Sequence, residues 1–303
     1  MITTHPELLT IRDYIRYATS CFNEASLYFG HGTDNAWDEA VALTFHTLHL
    51  PHHIHPAVLD AHITKDEQTK LIHLIDQRVT KRIPIAYLTH EAWFAGLAFY
   101  VDERVLIPRS PLAELIENHF QPWLVSTEVE NLLDLCTGSA CIAIACAKAF
   151  PQTTVDASDI SLDALSVAKI NILRHGVENQ IQLIESDLFA SLPQKKYDII
   201  ISNPPYVCAE EMDTLPPEYL HEPQLGLSAG TDGLDFAIRI LKNAPTFLKP
   251  NGILIVEVGN SEEALSARFP TIPFTWVEFE RGGGGVFILT AEQLRTQQAL
   301  FNL

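Results

Sequence analysis

From Pro111 onward one pattern repeats: a short apolar run rich in β-branched residues, a turn, then a helical stretch before the next run. The runs fall at residues 131–135, 153–157, 181–184, 197–202, 252–258 and 285–290. Strands separated by helices are not joined by tight hairpins, so they lie largely parallel and connect by right-handed crossovers that cover the faces of one sheet. Such a sheet gathers the carboxyl ends of its strands on one edge, where an open α/β sheet binds its ligand. Functional residues are therefore expected just after the strands. No internal repeat competes with this reading, and low complexity is confined to residues 282–285.

Residues 1–90 follow another rule. Leu8, Ile11, Ile15 and Tyr17 recur near helical spacing, as do Ile72, Ile75, Val79 and Ile83, which predicts a small helical N-terminal domain. Its histidines at 46, 49, 52, 53 and 55 gather around Pro51, a residue that ends helices, and read as a polar helix end and turn. No metal site is expected, because carboxylate or thiolate companions at ligand spacing do not accompany them. Residues 91–108 carry aromatic and β-branched residues split by Gly96 and by Asp102-Glu103, the pattern of a connecting β-hairpin. The expected division is thus 1–90 helical, 91–108 connector and 109–303 α/β.

With 303 residues, 47% of them hydrophobic, the chain can bury a large core. No stretch reaches the roughly 18 uninterrupted apolar residues of a membrane helix. The opening MITTHPELLTIRDYIRYA also lacks the basic-then-apolar order of a secretory signal. A cytoplasmic protein without a membrane partner is expected. Five cysteines (Cys21, Cys136, Cys141, Cys146 and Cys208) form no C-x-x-C pair, which points to neither a disulfide framework nor zinc. The net charge of −18, from 38 acidic and 20 basic residues, disfavours free nucleic acid as a partner. A basic protein would be drawn to such a surface at low ionic strength, although acidity also serves plain solubility.

The run 131–135 leads straight into Cys136-Thr137-Gly138-Ser139-Ala140 and then the helix IAIACAKAF. A strand, a tight turn of small residues and a helix start let a ligand approach the backbone and meet exposed N–H groups. Alone this is any nucleotide loop, or a structural turn. The next strand ends at Asp159, where a carboxylate suits two ribose hydroxyls, each such bond being worth about 1.5–3 kcal/mol; Asp159 also reads as a helix-start residue. A third strand ends at Ser186-Asp187-Leu188, where Asp187 suits an adenine amino group and Leu188 the ring face. Three strand ends converge on one adenosine.

The run 197–202 ends in Asn203-Pro204-Pro205-Tyr206. Two prolines stiffen the loop and remove two backbone donors, leaving the Asn203 side-chain oxygen and the Pro204 carbonyl as fixed acceptors. That pair suits a planar NH2 group, whose lone pair is delocalised and must be turned toward an electrophile. Preorganised dipoles of this kind contribute about 2.7–4 kcal/mol. Tyr206 offers a flat wall. The bland alternative is a proline-rich turn.

Together the runs NPPY, DLCTGSACIAIACA, VDERVLIPRSPLAELI and HEPQLGLSAGTDGL resemble the protein-glutamine methyltransferases that act on translation components. The Arg109-Ser110-Pro111 form, Cys136 and the segment YFGHGTDNAWDEA resemble the branch that modifies the third large-subunit ribosomal protein, more than the release-factor branch. The resemblance implies a Rossmann-like class I methyltransferase fold with a mainly parallel seven-stranded sheet. It also implies S-adenosylmethionine as cofactor, a basic ribosomal protein as substrate and a helical part that selects it. By it, cofactor contacts fall on Asp134, Cys136, Thr137, Gly138, Ala140, Asp159, Asp187, Leu188 and Asn203. Substrate contacts fall on Asn203, Pro204, Pro205, Tyr206 and Arg109, with Asn203, Pro204 and Tyr206 catalytic. Ala140 departs from the family's usual glycine, and its methyl is expected to crowd the cofactor slightly.

Arg109 reads as a residue that orients its loop or meets substrate, and equally as an exposed structural arginine. Two rivals remain: an adenine N-methyltransferase, since the same acceptors suit an amine flipped from its stack, and a noncatalytic scaffold. The acidity and the absence of a Lys/Arg-rich segment weigh against the first. The intact acceptor loop weighs against the second.

Overall fold

The helical periodicity near the N-terminus becomes four α-helices in the computed structural model, which describes residues 7–51, 53–124 and 128–302. These are α1 (Ile11–Glu24), α2 (Ala36–Thr47), α3 (Lys65–Lys81) and α4 (Ile85–Thr89). They form a unit of Met1–Ala92 together with Pro216–His221. Thr10 and Asp13 close a capping box at the start of α1, and Thr64 and Glu67 do so for α3, each satisfying two orphan backbone donors. Tyr14, Ile15, Phe22, Leu43 and Leu71 fill the core between these helices. Arg78 lies in that core at 1% exposure, so its charge must be matched. It donates to Glu39 at 2.5 Å, to Glu218 at 3.3 Å and to the Tyr28 carbonyl at 2.9 Å. Arg82 donates to Glu218 at 3.1 Å.

Of the histidine segment, His46 lies in the last turn of α2, which ends at Thr47, and His55 caps the 3-10 turn Pro56–Asp60 by accepting from the Ala57 N–H. His52 lies outside the described residues. Among the described residues, no group of three His, Cys, Asp or Glu side chains is arranged to hold a metal ion.

The second unit comprises Trp93–Leu215 and Glu222–Leu303. A short hairpin of β1 (Ala92–Phe94) and β2 (Leu97–Phe99) turns at Ala95-Gly96, both at positive φ. The sheet that follows has the strand order β5-β4-β3-β6-β7-β9-β8. Its members are β3 (Asn131–Leu135), β4 (Thr154–Asp159), β5 (Ile181–Glu185), β6 (Tyr197–Ser202), β7 (Leu248–Glu257), β8 (Thr275–Trp276) and β9 (Val286–Thr290). The first five in this order are parallel, while β9 runs antiparallel to β7 and to β8. This is the Rossmann-like class I methyltransferase fold. Chain order reverses between β3 and β6, which opens the crevice where such sheets bind ligands.

The helices of this unit are α5 (Leu112–Glu117), α6 (Cys141–Ala149), α7 (Leu162–His175), α8 (Ala209–Met212), α9 (Asp235–Asn243), α10 (Glu262–Arg268) and α11 (Ala291–Thr296). Alternate strand residues feed two cores. Leu132, Val155, Ile199, Ile201 and Ile255 join the α5 and α6 side. Leu133, Leu135, Ile200, Leu254 and Val256 join the α9 and α11 side. Burial on both faces is why these strands read as continuous apolar runs. Helix α6 is buried all round from Cys141 to Ala147, which its composition of small and branched apolar residues permits.

Three elements differ from the sequence expectation. The edge strand β8 has two residues, too few to register as an apolar run. Strand β4 starts at Thr154 and continues to Asp159, so the carboxylate is the strand's last residue. The hairpin is confined to Ala92–Phe99, and Asp102 turns inward to accept from Tyr100 and Arg104. Residues 100–111 then lead to α5 as a strap without helix or strand, turning once where the Val105 N–H donates to the Asp102 carbonyl.

Candidate active site

The loop between β3 and α6 bends through three left-handed residues, Cys136 (φ 59°), Gly138 (φ 54°) and Ala140 (φ 63°). Two of them carry side chains, at a cost of about 1–2 kcal/mol each. Asp134 compensates from beneath. Its Oδ2 accepts from the Thr137 hydroxyl at 2.5 Å and from the Ala143 N–H at 3.1 Å, tying the bend to the first turn of α6. Its Oδ1 has no hydrogen-bond partner among the described residues although the residue is fully buried. Burial pushes this carboxyl up to about 7. Burial likewise raises the Cys136 thiol, as do the charges of Asp159 and Asp134, so it stays protonated at neutral pH.

Asp159 ends β4 beside this loop. It accepts from the Gly138 N–H at 2.9 Å and from the Ser161 N–H at 2.9 Å, and burial raises its pKa. Asp159 thus supports the start of α7, where Ser161 is the actual cap, and it stands at the end of β4 with lone pairs to spare. A Cβ at Gly138 would meet nothing within 4 Å, so this glycine faces open space. After β5, Asp187 accepts from Arg239 at 2.8 Å, a half-exposed pair, while Leu188 sits at φ 50°.

Strand β6 delivers Asn203-Pro204-Pro205-Tyr206 to the same edge. The prolines are buried, and Asn203 and Tyr206 are half-buried. The Asn203 side chain makes no hydrogen bond to another described residue. Tyr206 is held from several sides. Its carbonyl accepts from the Ser261 hydroxyl at 3.0 Å, and its hydroxyl donates to Glu257 at 3.2 Å. A Cβ on Gly259 would lie 2.5 Å from the ring, and one on Gly233 would lie 2.4 Å from the Tyr206 carbonyl oxygen. Only glycine fits at either place.

One cavity collects these residues. It is lined by Cys136, Thr137, Gly138, Asp159, Asp187, Leu188, Asn203, Pro205 and Tyr206, with Arg109 and its strap opposite. Asp134 and Pro204 lie behind that lining, as does Ala140, which is wholly buried. The Ala140 methyl therefore packs into the core instead of crowding the cavity.

Arg109 has a structural task. Its guanidinium forks onto Glu222 at 2.6 and 2.8 Å, and Glu222 also accepts from the Ile107 N–H at 2.9 Å. Reading from sequence missed Glu222, Ser110, Phe236 and Glu257, all in or against the cavity. Glu257 had a usable signal, since it is an acid at the end of an apolar run, as Asp134 and Asp159 nearly are. Buried acids, which a nearby positive charge would relieve of their burial cost, and an uncommitted amide oxygen together suit a ligand that carries positive charge beside a planar NH2 group.

Residues 114–218 match the methyltransferase small domain family. The chain is 53% identical over 289 residues to the ribosomal protein uL3 glutamine methyltransferase of Neisseria gonorrhoeae, covering 95% of this chain and 96% of that protein. It is also 53% identical to the protein of the same name from Neisseria meningitidis serogroup B, covering 95% of each. Among solved structures, the hMettl16 catalytic domain in complex with MAT2A 3'UTR hairpin 6 aligns with a TM-score of 0.50 at 17% identity, over 75% of this chain and 81% of that one. That likeness concerns the fold alone.

Proposed function

The chain belongs to the ribosomal protein uL3 glutamine methyltransferases, and from that membership we propose that it methylates the side-chain amide nitrogen of a glutamine in that large-subunit protein, using S-adenosylmethionine. The observation that carries the reading is the Asn203 side chain, at the cavity wall and free of any hydrogen bond to another described residue, on a loop stiffened by two prolines.

When bound, S-adenosylmethionine supplies a methyl group on a positively charged sulfur, an electrophile that needs no further activation. The residues present fit it. Gly138 leaves open space, Asp159 keeps lone pairs for ribose hydroxyls, and Asp187 with Leu188 suits the adenine. The buried acids Asp134 and Asp159 favour a cation. Cys136 and Thr137 line the wall between them, and Ala140 closes the turn from within. The chain's own chemistry is positioning. The Asn203 Oδ1 accepts one N–H bond of the glutamine amide at the cavity wall, the carbonyl of Pro204, a residue behind that wall, accepts the other as the amide seats, and the pair turns the lone pair toward the methyl group. Pro205 and Tyr206 keep that plane in place, and Arg109 acts through its strap.

The helical unit selects the substrate, since the acceptor loop and the three strand ends lie outside it. The net charge of −18 suits a basic partner made in the cytoplasm, and no helix among the described residues is long and apolar enough to cross a membrane. The test is transfer of labelled methyl to uL3 from cells lacking this gene. Label is expected on one glutamine, and Asn203→Ala should lower the rate at least a hundredfold while cofactor affinity holds. Label found only in nucleic acid overturns the reading in favour of an adenine enzyme.

A further inference from the structure

Strand β7 lies beside β6, and its end carries a carboxyl that the reaction as described does not use. Ser202 pairs with Val256, and Glu257 follows Val256 as Asn203 follows Ser202. The side chain is 4% exposed. A carboxyl in such a place is costly unless both oxygens find partners. Here they do: Oε1 accepts from the Tyr206 hydroxyl at 3.2 Å, and Oε2 accepts from the Ser110 hydroxyl. Ser110 in turn accepts from the Leu112 N–H at the start of α5 and ends the strap that lines the cavity.

We propose that Glu257 is a positioning residue for amide methylation, which locks the Tyr206 ring against the strap by joining the Tyr206 and Ser110 hydroxyls through one buried carboxyl. This deepens the function proposed above and rests on it.

The rest of the packing shows why a lock is needed. Gly259, two residues after Glu257, lies under the Tyr206 ring, while Ser261 holds the Tyr206 carbonyl. These contacts fix the backbone and one edge of the ring. The hydroxyl tip is the remaining lever, and Glu257 is its acceptor. The end of β7 therefore supplies both the floor of the tyrosine and its latch. A substrate plane set against this ring takes its orientation from Glu257 without touching it. Burial pushes the Glu257 carboxyl up to about 7, with the two hydroxyls and the Arg109 charge opposing that rise. The neutral form thus exists near neutral pH, and glutamine mimics its shape.

A double-mutant cycle separates this lock from a merely structural carboxyl. Glu257→Leu and Tyr206→Phe are each expected to lower kcat on uL3 by roughly tenfold to a hundredfold, with cofactor affinity within about twofold of the parent. The double variant should be no slower than the slower single variant, because both remove one lock. Glu257→Gln should recover most of kcat. If Glu257→Leu fails to bind cofactor, Glu257→Asp, which keeps the charge but is too short to reach both hydroxyls, replaces it in the cycle.

Losses that multiply independently, or a Glu257→Leu protein as fast as the parent, overturn the proposal while leaving the enzyme's assignment intact. A parent protein that labels no glutamine overturns the assignment, and this inference with it.

Discussion

Burial raises the carboxyls of Asp134, Asp159 and Glu257 above their ordinary values, those of Asp134 and Glu257 to about 7. In the unfolded chain such groups titrate near 4. Between those values the folded protein binds more protons than the unfolded one, so stability falls as pH rises through the window. Carboxyls held low by hydrogen bonds, such as Asp13 and Glu67, act only at more acidic pH. The unfolding free energy from urea titration should therefore drop between pH 5 and pH 8, by an amount on the order of a few kcal/mol in total with the midpoint falling alongside, and Asp134→Asn should remove part of the slope. A midpoint that rises across this range contradicts the assignment of these groups. The same residues show what a sequence exposes. Asp159, Asp187 and the Asn203 loop are legible because each stands at or just beyond the end of the strand that places it. Glu257 also ends an apolar run and could have been picked out by position, but its role, like that of Glu222, is hidden because it lies in partners 147 and 113 residues away.

The strap from 100 to 111 has no regular hydrogen-bonded structure to hold it along one side of the cavity. Two buried acids do so instead, Glu222 through Arg109 and Ile107, and Glu257 through Ser110. Removing one member of a buried ion pair leaves its partner charged without compensation, and Glu222 has no exposed side-chain surface. Arg109→Ala should thus cost on the order of 3 kcal/mol in urea unfolding, and adding Glu222→Leu should recover much of that loss. A single variant within a few tenths of the parent would show that the strap stands without its fork. The strands were readable because burial on both faces writes a continuous apolar run. Strand β8 escaped because two residues at an edge write nothing, and the hairpin looked longer because the apolar strap continues its composition.

For the whole molecule, charge matters more than any one contact. A surface carrying −18 attracts a basic partner over a range that salt shortens, the Debye length falling from about 10 Å at 0.1 M to about 3 Å at 1 M. KM for uL3 should rise with ionic strength while kcat holds, read from initial rates at several salt concentrations. A KM indifferent to salt would reduce the acidity to a matter of solubility.

The chain passes between its two units at three places, after Ala92, after Leu215 and after His221. The helical unit therefore cannot be grafted onto another enzyme with a single splice. Glu218 lies 140 residues beyond Arg78, past the Asn203–Tyr206 loop, so a recipient must inherit acid and arginine together. Evolution faces the same constraint, and a change of substrate preference in such a chain must come by rewriting surfaces in place instead of exchanging a domain.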